Sequence, residues 1–146
     1  ILRKTYEGVH SNQVALPGGK AEKEDGSLKI TALRETYEEV GVNPKDVEVL
    51  RTISEVYIPP SNFEVQPFIG LYQKPKPFKI QESEVASLLE ISLVDFLEDM
   101  NLTTKKLSTS YAKEVSVPAF KLNDYIIWGA TAMMLSEIKD LLKQVL

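Results

Sequence analysis

The hydrophobic pattern divides this chain into short runs of β-branched and aromatic residues and a few stretches with helical spacing. Residues 1–6 (ILRKTY) read as a strand, and a long polar loop then leads to Val14 and Leu16. A glycine-rich stretch, LPGGKAEKEDGS at residues 16–27, precedes a helix predicted over Leu28–Val40. Ser27 suits its N-cap, Gly41 stands where a helix takes a left-handed stop, and Pro44 forbids continuation. Two strand-like runs follow at 47–58 and 63–72, joined by the turn sequence PPSN, and QKPKPF at 73–78 reads as an exposed loop. A strand at 85–91 and a short helix at 93–100 come next. Residues 115–122 and 125–128 form a predicted hairpin around Asn123-Asp124. The chain closes on an amphipathic helix with Ala130, Met133, Met134, Ile138, Leu141, Leu142 and Val145 at helical spacing, the methionines as core packing.

This is a mixed α and β pattern without internal repeats, and 146 residues suit one domain spanning 1–146. A chain opening at Ile1, within a strand, reads as a fragment whose N-terminal portion is missing. The net charge of −4 gives no general attraction to nucleic acid or to an anionic membrane. No apolar run reaches the length of about 20 residues needed to span a bilayer. The chain has no cysteine, which excludes a disulfide framework and thiolate metal sites and fits a reducing, cytoplasmic setting. His10, the single histidine, sits beside Ser11 and Asn12 and is given no catalytic role. Any bound metal must therefore take oxygen ligands, which suits Mg²⁺, Mn²⁺ or Ca²⁺.

The predicted helix carries the chemistry. At 100° per residue, Ile30, Leu33, Tyr37 and Val40 fall within an arc of roughly 80°, the expected buried face. Glu35, Glu38 and Glu39 fall within roughly 100° on nearly the opposite side. Glu35 repels Glu38 at i,i+3 and Glu39 at i,i+4, each at a cost of a few tenths of a kcal/mol. A solvated face would interleave lysines, whereas this one offers Arg34, placed to reach Glu38. Crowded carboxylates are tolerable around a divalent cation, which reverses the local electrostatics. Gly18 and Gly19, just upstream, permit backbone geometries closed to other residues and a close ligand approach. A cation shared between carboxylates and a glycine loop suits a phosphate substrate.

With those residues in view, the sequence resembles the Nudix hydrolases. Their box runs Gly, five residues, Glu, seven residues, then Arg-Glu-U-x-Glu-Glu-x-Gly-U, with U aliphatic. Gly19 matches the opening glycine, and RETYEEVGV at residues 34–42 matches the end, with Thr36 at an aliphatic position. The intermediate acid is Asp25, and eight residues separate it from Arg34. That variant is similar to the coenzyme A pyrophosphatase branch. HSNQVALPGG at residues 10–19 resembles the branch's upstream segment, and Glu84-Val85 and IWGAT at 127–131 resemble its downstream landmarks, so the similarity covers nearly the whole chain. Arg3 matches the first arginine of the branch's upstream substrate motif. Lys4, Gly8, Asn12 and Leu16 replace its Ser, second Arg, Gly and Phe, departures that bear on substrate choice and leave the hydrolase chemistry intact.

The resemblance implies an α+β fold, an α/β/α sandwich with a mixed sheet between helices. It implies hydrolysis of a nucleoside diphosphate linked to another moiety with Mg²⁺ or Mn²⁺, and a small-molecule, coenzyme A-like nucleotide as partner. Glu35, Glu38 and Glu39 would hold the metal with the Gly18 carbonyl, and Arg34 would orient a box glutamate. The general base stays open among Glu35, Glu38 and Glu84, with Glu84 also able to serve as a further ligand. Arg3, Gly19 and Lys20 would meet the substrate. Substrates open within the family are coenzyme A or an acyl-CoA, ADP-ribose, dinucleoside polyphosphates and damaged nucleoside triphosphates. A Nudix module that binds a nucleotide without cleaving it would have lost box glutamates or the arginine, and Arg34, Glu35, Glu38 and Glu39 are all present here. A Ca²⁺-buffering helix lacks its loop pattern. The resemblance allows a homodimer, although no exposed apolar stripe in the sequence requires one.

Overall fold

The computed structural model describes residues 1–4, 13–107 and 114–146. These form two compact units, Ile1–Leu88 and Leu89–Leu146. The class is α+β, as expected. Among the described residues the strands pair in four separate sheets, and every ladder is antiparallel. No described helix is long and apolar enough to cross a membrane.

In the first unit, β1 (Leu2–Arg3) pairs with β6 (Val85–Ser87), bringing Arg3 opposite Val85. On its other side Leu2 bridges Val14, and the Ala15 N–H donates to the Ile1 carbonyl at 2.9 Å. The end of the strand predicted over 1–6 lies outside the described residues, as do Gly8, His10 and Asn12. The helix α1 spans Leu28–Val40 as predicted. The Ser27 hydroxyl caps it by accepting from the Ile30 N–H, and Gly41 ends it in the left-handed region at φ 77°. A side chain at Gly41 would also run into the Lys79 backbone, its Cβ only 3.1 Å from the nitrogen and 3.2 Å from the oxygen. Each predicted strand run divides in two, giving β2 (Val47–Thr52), β3 (Val56–Ile58), β4 (Phe63–Val65) and β5 (Phe68–Tyr72). β2 pairs with β5 and β3 with β4, and PPSN makes the turn, with Asn62 left-handed. Val40 packs with Ile1, Val42 and Val85 in a small core extended by Val47, Tyr72, Ile80 and Leu88.

The face of α1 that turns inward differs from the one its apolar residues predict. Val40 is buried, but Ile30 is 46% and Tyr37 55% exposed, whereas Glu39 is only 2% exposed and Thr31 is buried too. The reason is what covers the helix. The loop before α1 folds back over its polar side, and ionic and hydrogen-bonded contacts hold that side down.

In the second unit, α2 (Leu93–Leu97) is followed by a 3₁₀ turn at Asp99–Asn101, a shorter helix than residues 93–100 predict. β7 (Leu102–Leu107) then pairs with β8 (Val115–Leu122), and β8 with β9 (Tyr125–Trp128). The hairpin turn is the expected one, with Asn123 at φ 47° and Asp124 at φ 65°, the paired left-handed conformation of a two-residue hairpin. β7, whose LTTKKL carries lysines and little apolar alternation, gave no strand signal. The strand expected at 85–91 shrinks to β6 in the first unit. The closing helix α3 spans Gly129–Val145. Met134 is buried as expected, but Met133 is 62% exposed and Val145 is exposed too. Lys139 takes an inward place instead: its Nζ donates to the Glu98 carbonyl at 2.8 Å and Asn101 Oδ1 at 3.0 Å, and sits 5.6 Å from the Phe120 ring centroid.

Candidate active site

The site is built on one side of α1 by the loop before it and the segment after residue 78. Arg34 is its centre. Its Nε donates to Asp25 Oδ1 at 2.8 Å, and one terminal nitrogen donates to Asp25 Oδ2 at 3.0 Å and to the Lys20 carbonyl at 3.2 Å. The other donates to Glu35 Oε1 at 3.0 Å and to Glu38 Oε1 at 3.2 Å. A guanidinium has five N–H donors in a rigid fork, and all five are engaged here. Glu22 adds an ion pair at 3.7 Å.

Asp25 can reach Arg34 because a 3₁₀ turn at Lys23–Asp25 and the left-handed Gly26 fold the loop against the first turn of α1. Its Oδ2 also accepts from the Glu22 N–H at 2.9 Å and the Thr31 hydroxyl at 2.8 Å. These donors, Arg34 first, hold the Asp25 carboxyl well below the ordinary aspartate range, and Asp25 in turn keeps Arg34 firmly protonated.

Glu39 has a different environment. Its Oε1 accepts from the Gly18 N–H at 2.8 Å. Burial pushes its carboxyl pKa up, the Gly18 bond and the Arg3 charge pull it down, and the charges of Glu35 and Glu84 push it up further. The charges of Arg3 and Glu84 are thus near enough to act on Glu39. The route is visible in the backbone: the Gln81 N–H donates to the Glu39 carbonyl at 2.9 Å, the Glu84 N–H to the Gln81 carbonyl at 3.0 Å, and the Lys4 N–H to the Glu84 carbonyl at 2.9 Å. Capping the end of α1 thus delivers an exposed Glu84 to the neighbourhood of a buried Glu39.

The two loop glycines act otherwise than their backbone freedom predicts. Among the described residues the left-handed glycines are Gly26, Gly41 and Gly129, and neither Gly18 nor Gly19 is among them. Gly19 is needed for space, because a Cβ there would lie 2.5 Å from Glu35 Cδ and 2.6 Å from Oε1. Gly18 has open space around its α-carbon and contributes its N–H. Gly19→Ala is therefore expected to displace the Glu35 carboxylate, the movable end of a flexible side chain. Turnover should fall about 10–100-fold, as for a misplacement of roughly 1 Å, with little change in melting temperature. Steady-state kinetics beside a thermal melt would check this; wild-type kcat in the variant would show that Gly19 does not set the position of Glu35.

The donors suit a hard divalent cation, being carboxylate and backbone oxygens. Among the described residues, no three carboxylates converge closely enough to hold an ion as they stand. Glu35 and Glu38 turn to Arg34, and Glu39 to Gly18. Glu39 nonetheless suits one: its carboxylate is buried, which raises its pKa more than either the Gly18 bond or the Arg3 charge lowers it, and a cation would offset the cost of that buried charge.

Residues 1–107 match the model of the NUDIX domain family. The chain belongs to the Nudix family. It is similar to "Nudix hydrolase 22, chloroplastic" of Arabidopsis thaliana, at 34% identity over 91% of this chain and 45% of that protein. It is also similar to proteins called "Uncharacterized Nudix hydrolase NudL" in Pectobacterium atrosepticum, at 34% identity over 88% of this chain and 66% of that protein, and in Yersinia enterocolitica, at 35% over 93% and 69%. The chain thus spans about half the length of the plant relative and about two thirds of the bacterial ones. Nudix hydrolases act on small nucleotide-linked substrates and generally use divalent metal ions. In this Nudix chain, what sequence reasoning missed is the set of partners around Arg34 and Asp25: Thr31, Glu22 and the Lys20 carbonyl. Asp25 was visible as a box acid, and its shorter side chain with the longer spacing was the one signal that an unusual contact lay there.

Proposed function

We propose that this chain is a divalent-metal-dependent pyrophosphohydrolase that cleaves coenzyme A or an acyl-CoA into 3′,5′-ADP and 4′-phosphopantetheine. The observation that carries the hydrolase reading is the saturated Arg34 guanidinium, which holds Glu35 and Glu38 on the side of α1 where Glu39 is turned inward. A solvated acidic face would not bury one of its carboxylates or engage the others with two donors of an arginine that is itself anchored by Asp25. The coenzyme A reading rests on Asp25. An aspartate with eight residues between it and Arg34 is the variant of the branch this sequence resembles, and its bidentate pair with Arg34 supports reading it as a working part of the box.

Glu35, Glu38 and Glu39, with the Gly18 carbonyl, would hold Mg²⁺ or Mn²⁺, which when bound supplies Lewis-acid polarisation of the phosphoryl oxygens and a more acidic attacking water. Arg34 limits the mutual repulsion of Glu35 and Glu38 and sets their direction. Gly19 leaves the space that Glu35 occupies. One of Glu35, Glu38 and Glu84 accepts the proton of the attacking water. Arg3 and Lys20 offer positive charge to the phosphates, and the family reading adds no requirement for a dimer.

A product assay by chromatography tests this reading. The protein is incubated with Mg²⁺ or Mn²⁺ and, separately, coenzyme A, ADP-ribose and 8-oxo-dGTP. Release of 3′,5′-ADP from coenzyme A well ahead of the other cleavages is expected. Preferential cleavage of ADP-ribose or 8-oxo-dGTP would keep the Nudix chemistry and discard coenzyme A. No cleavage of any would favour a nucleotide-binding module.

A further inference from the structure

The helix α1 contains two threonines that use their hydroxyls differently. A helical threonine ordinarily bonds back to the carbonyl four residues earlier. Thr36 does so, donating to the Ala32 carbonyl at 2.7 Å. Thr31 has the same option in the Ser27 carbonyl, but that oxygen is 3.2 Å away while Asp25 Oδ2 is at 2.8 Å. A hydroxyl has one proton, and the nearer, charged acceptor is the stronger one.

Thr31 is 4% exposed, and the Asp25 side chain 5%. Oδ2 of Asp25 therefore meets three donors, Thr31, the Glu22 N–H and Arg34, the first and last of them partly shielded from water. Two of these are anchored to backbone or to the first turn of α1, so the carboxylate plane cannot rotate freely. Its bidentate pair with Arg34 transmits that plane to the guanidinium, whose remaining nitrogen points at Glu35 and Glu38. An aspartate has fewer torsions than a glutamate, and a buried hydroxyl is what locks the carboxylate that those torsions place.

We infer that Thr31 is a positioning residue: its hydroxyl fixes the Asp25 carboxylate and, through the Arg34 guanidinium, the direction of the glutamates Glu35 and Glu38 that receive a divalent cation. The cation part rests on the function proposed above; the link from Thr31 to Arg34 does not.

The test uses Thr31→Val, which keeps the shape and removes the hydroxyl, and Thr31→Ser, which restores it. Two readouts are taken on the folded, full chain. One is exchange of the Arg34 Nε–H with solvent, followed by ¹H–¹⁵N NMR without metal. The other is Mn²⁺ affinity, followed by the electron paramagnetic resonance of free Mn²⁺. In Thr31→Val, exchange is expected to quicken and Mn²⁺ affinity to fall about 10-fold, at the lower end of losses caused by removing a group that orients a metal ligand. Thr31→Ser should keep both near wild type. Unchanged exchange in the valine variant overturns the inference. Faster exchange with wild-type Mn²⁺ affinity overturns its extension to the glutamates. If the wild type takes up no Mn²⁺ while exchange still responds, the metal reading fails and the positioning of Arg34 stands. Thr31→Ala, a better helix former, carries the same test if the valine variant does not fold.

Discussion

Glu38→Gln is expected to lower kcat on the order of 10³-fold, within the range lost when a positioned acid or base is removed, while the melting temperature stays close to wild type. The two effects separate because of where Glu38 stands. Its side chain is 45% exposed, so the fold does not depend on its charge. Glutamine keeps the carbonyl oxygen that accepts from Arg34, so the guanidinium network loses little geometry. What it removes is one negative oxygen, needed both to hold a divalent cation and, in one of the readings above, to take a proton. Kinetics at saturating substrate and Mn²⁺, beside a thermal melt, would decide it. Near-normal turnover would sink the metal-site account.

Arg34→Lys should cost activity and stability together. Lysine preserves the charge but replaces a planar five-donor fork by a compact point charge. One ammonium cannot serve both Asp25 oxygens, the Lys20 carbonyl, Glu35 and Glu38 at once. The Asp25 carboxylate, enclosed by the loop, would lose its bidentate partner, and its pKa should rise toward the ordinary aspartate value. Asp25 stabilises the wild type because its folded pKa lies below its unfolded one. That contribution is complete above the unfolded value of about 3.9 and is lost as pH falls below it. The lysine variant is therefore expected to melt lower than wild type at pH 7, with the gap narrowing as pH drops below about 4. Turnover should fall on the order of 10²-fold from the misplaced glutamates alone. A variant with a wild-type melt at pH 7 and full activity would show that charge, and not the fork, is what the site needs.

How far the sequence could be read varies by element, and the reason is the range over which each signal acts. α1 was legible to the residue because Ser27, Gly41 and Pro44 set backbone dihedrals within a few positions of themselves. The Asn123-Asp124 hairpin was legible for the same reason. β7 was not, because its lysines and threonines carry no alternation and its pairing with β8 is made across the intervening residues. Met133, expected in the core, is exposed, and Lys139 is buried where two oxygen acceptors offset the cost of removing its ammonium from water, a partnership that helical spacing does not show.

At the site, the chain by itself determined the chemistry on offer: an arginine, three glutamates within about a turn of one another, an aspartate at an unusual distance and two glycines. Tertiary structure decided what those groups do. It turned Glu39 inward, because Gly18, 21 residues earlier, lies over the helix and donates to it. It set Asp25, nine residues from Arg34, as the anchor of the guanidinium, and it brought Glu84 alongside by capping the end of α1 with residues 79–81. It also changed the reason for Gly19 from backbone freedom to room for Glu35. Helical periodicity reports which side of a helix could be buried most cheaply in isolation. Which side is buried depends on the segment that covers it, and here charge-assisted hydrogen bonds to a returning loop outweighed the apolar stripe of Ile30 and Tyr37.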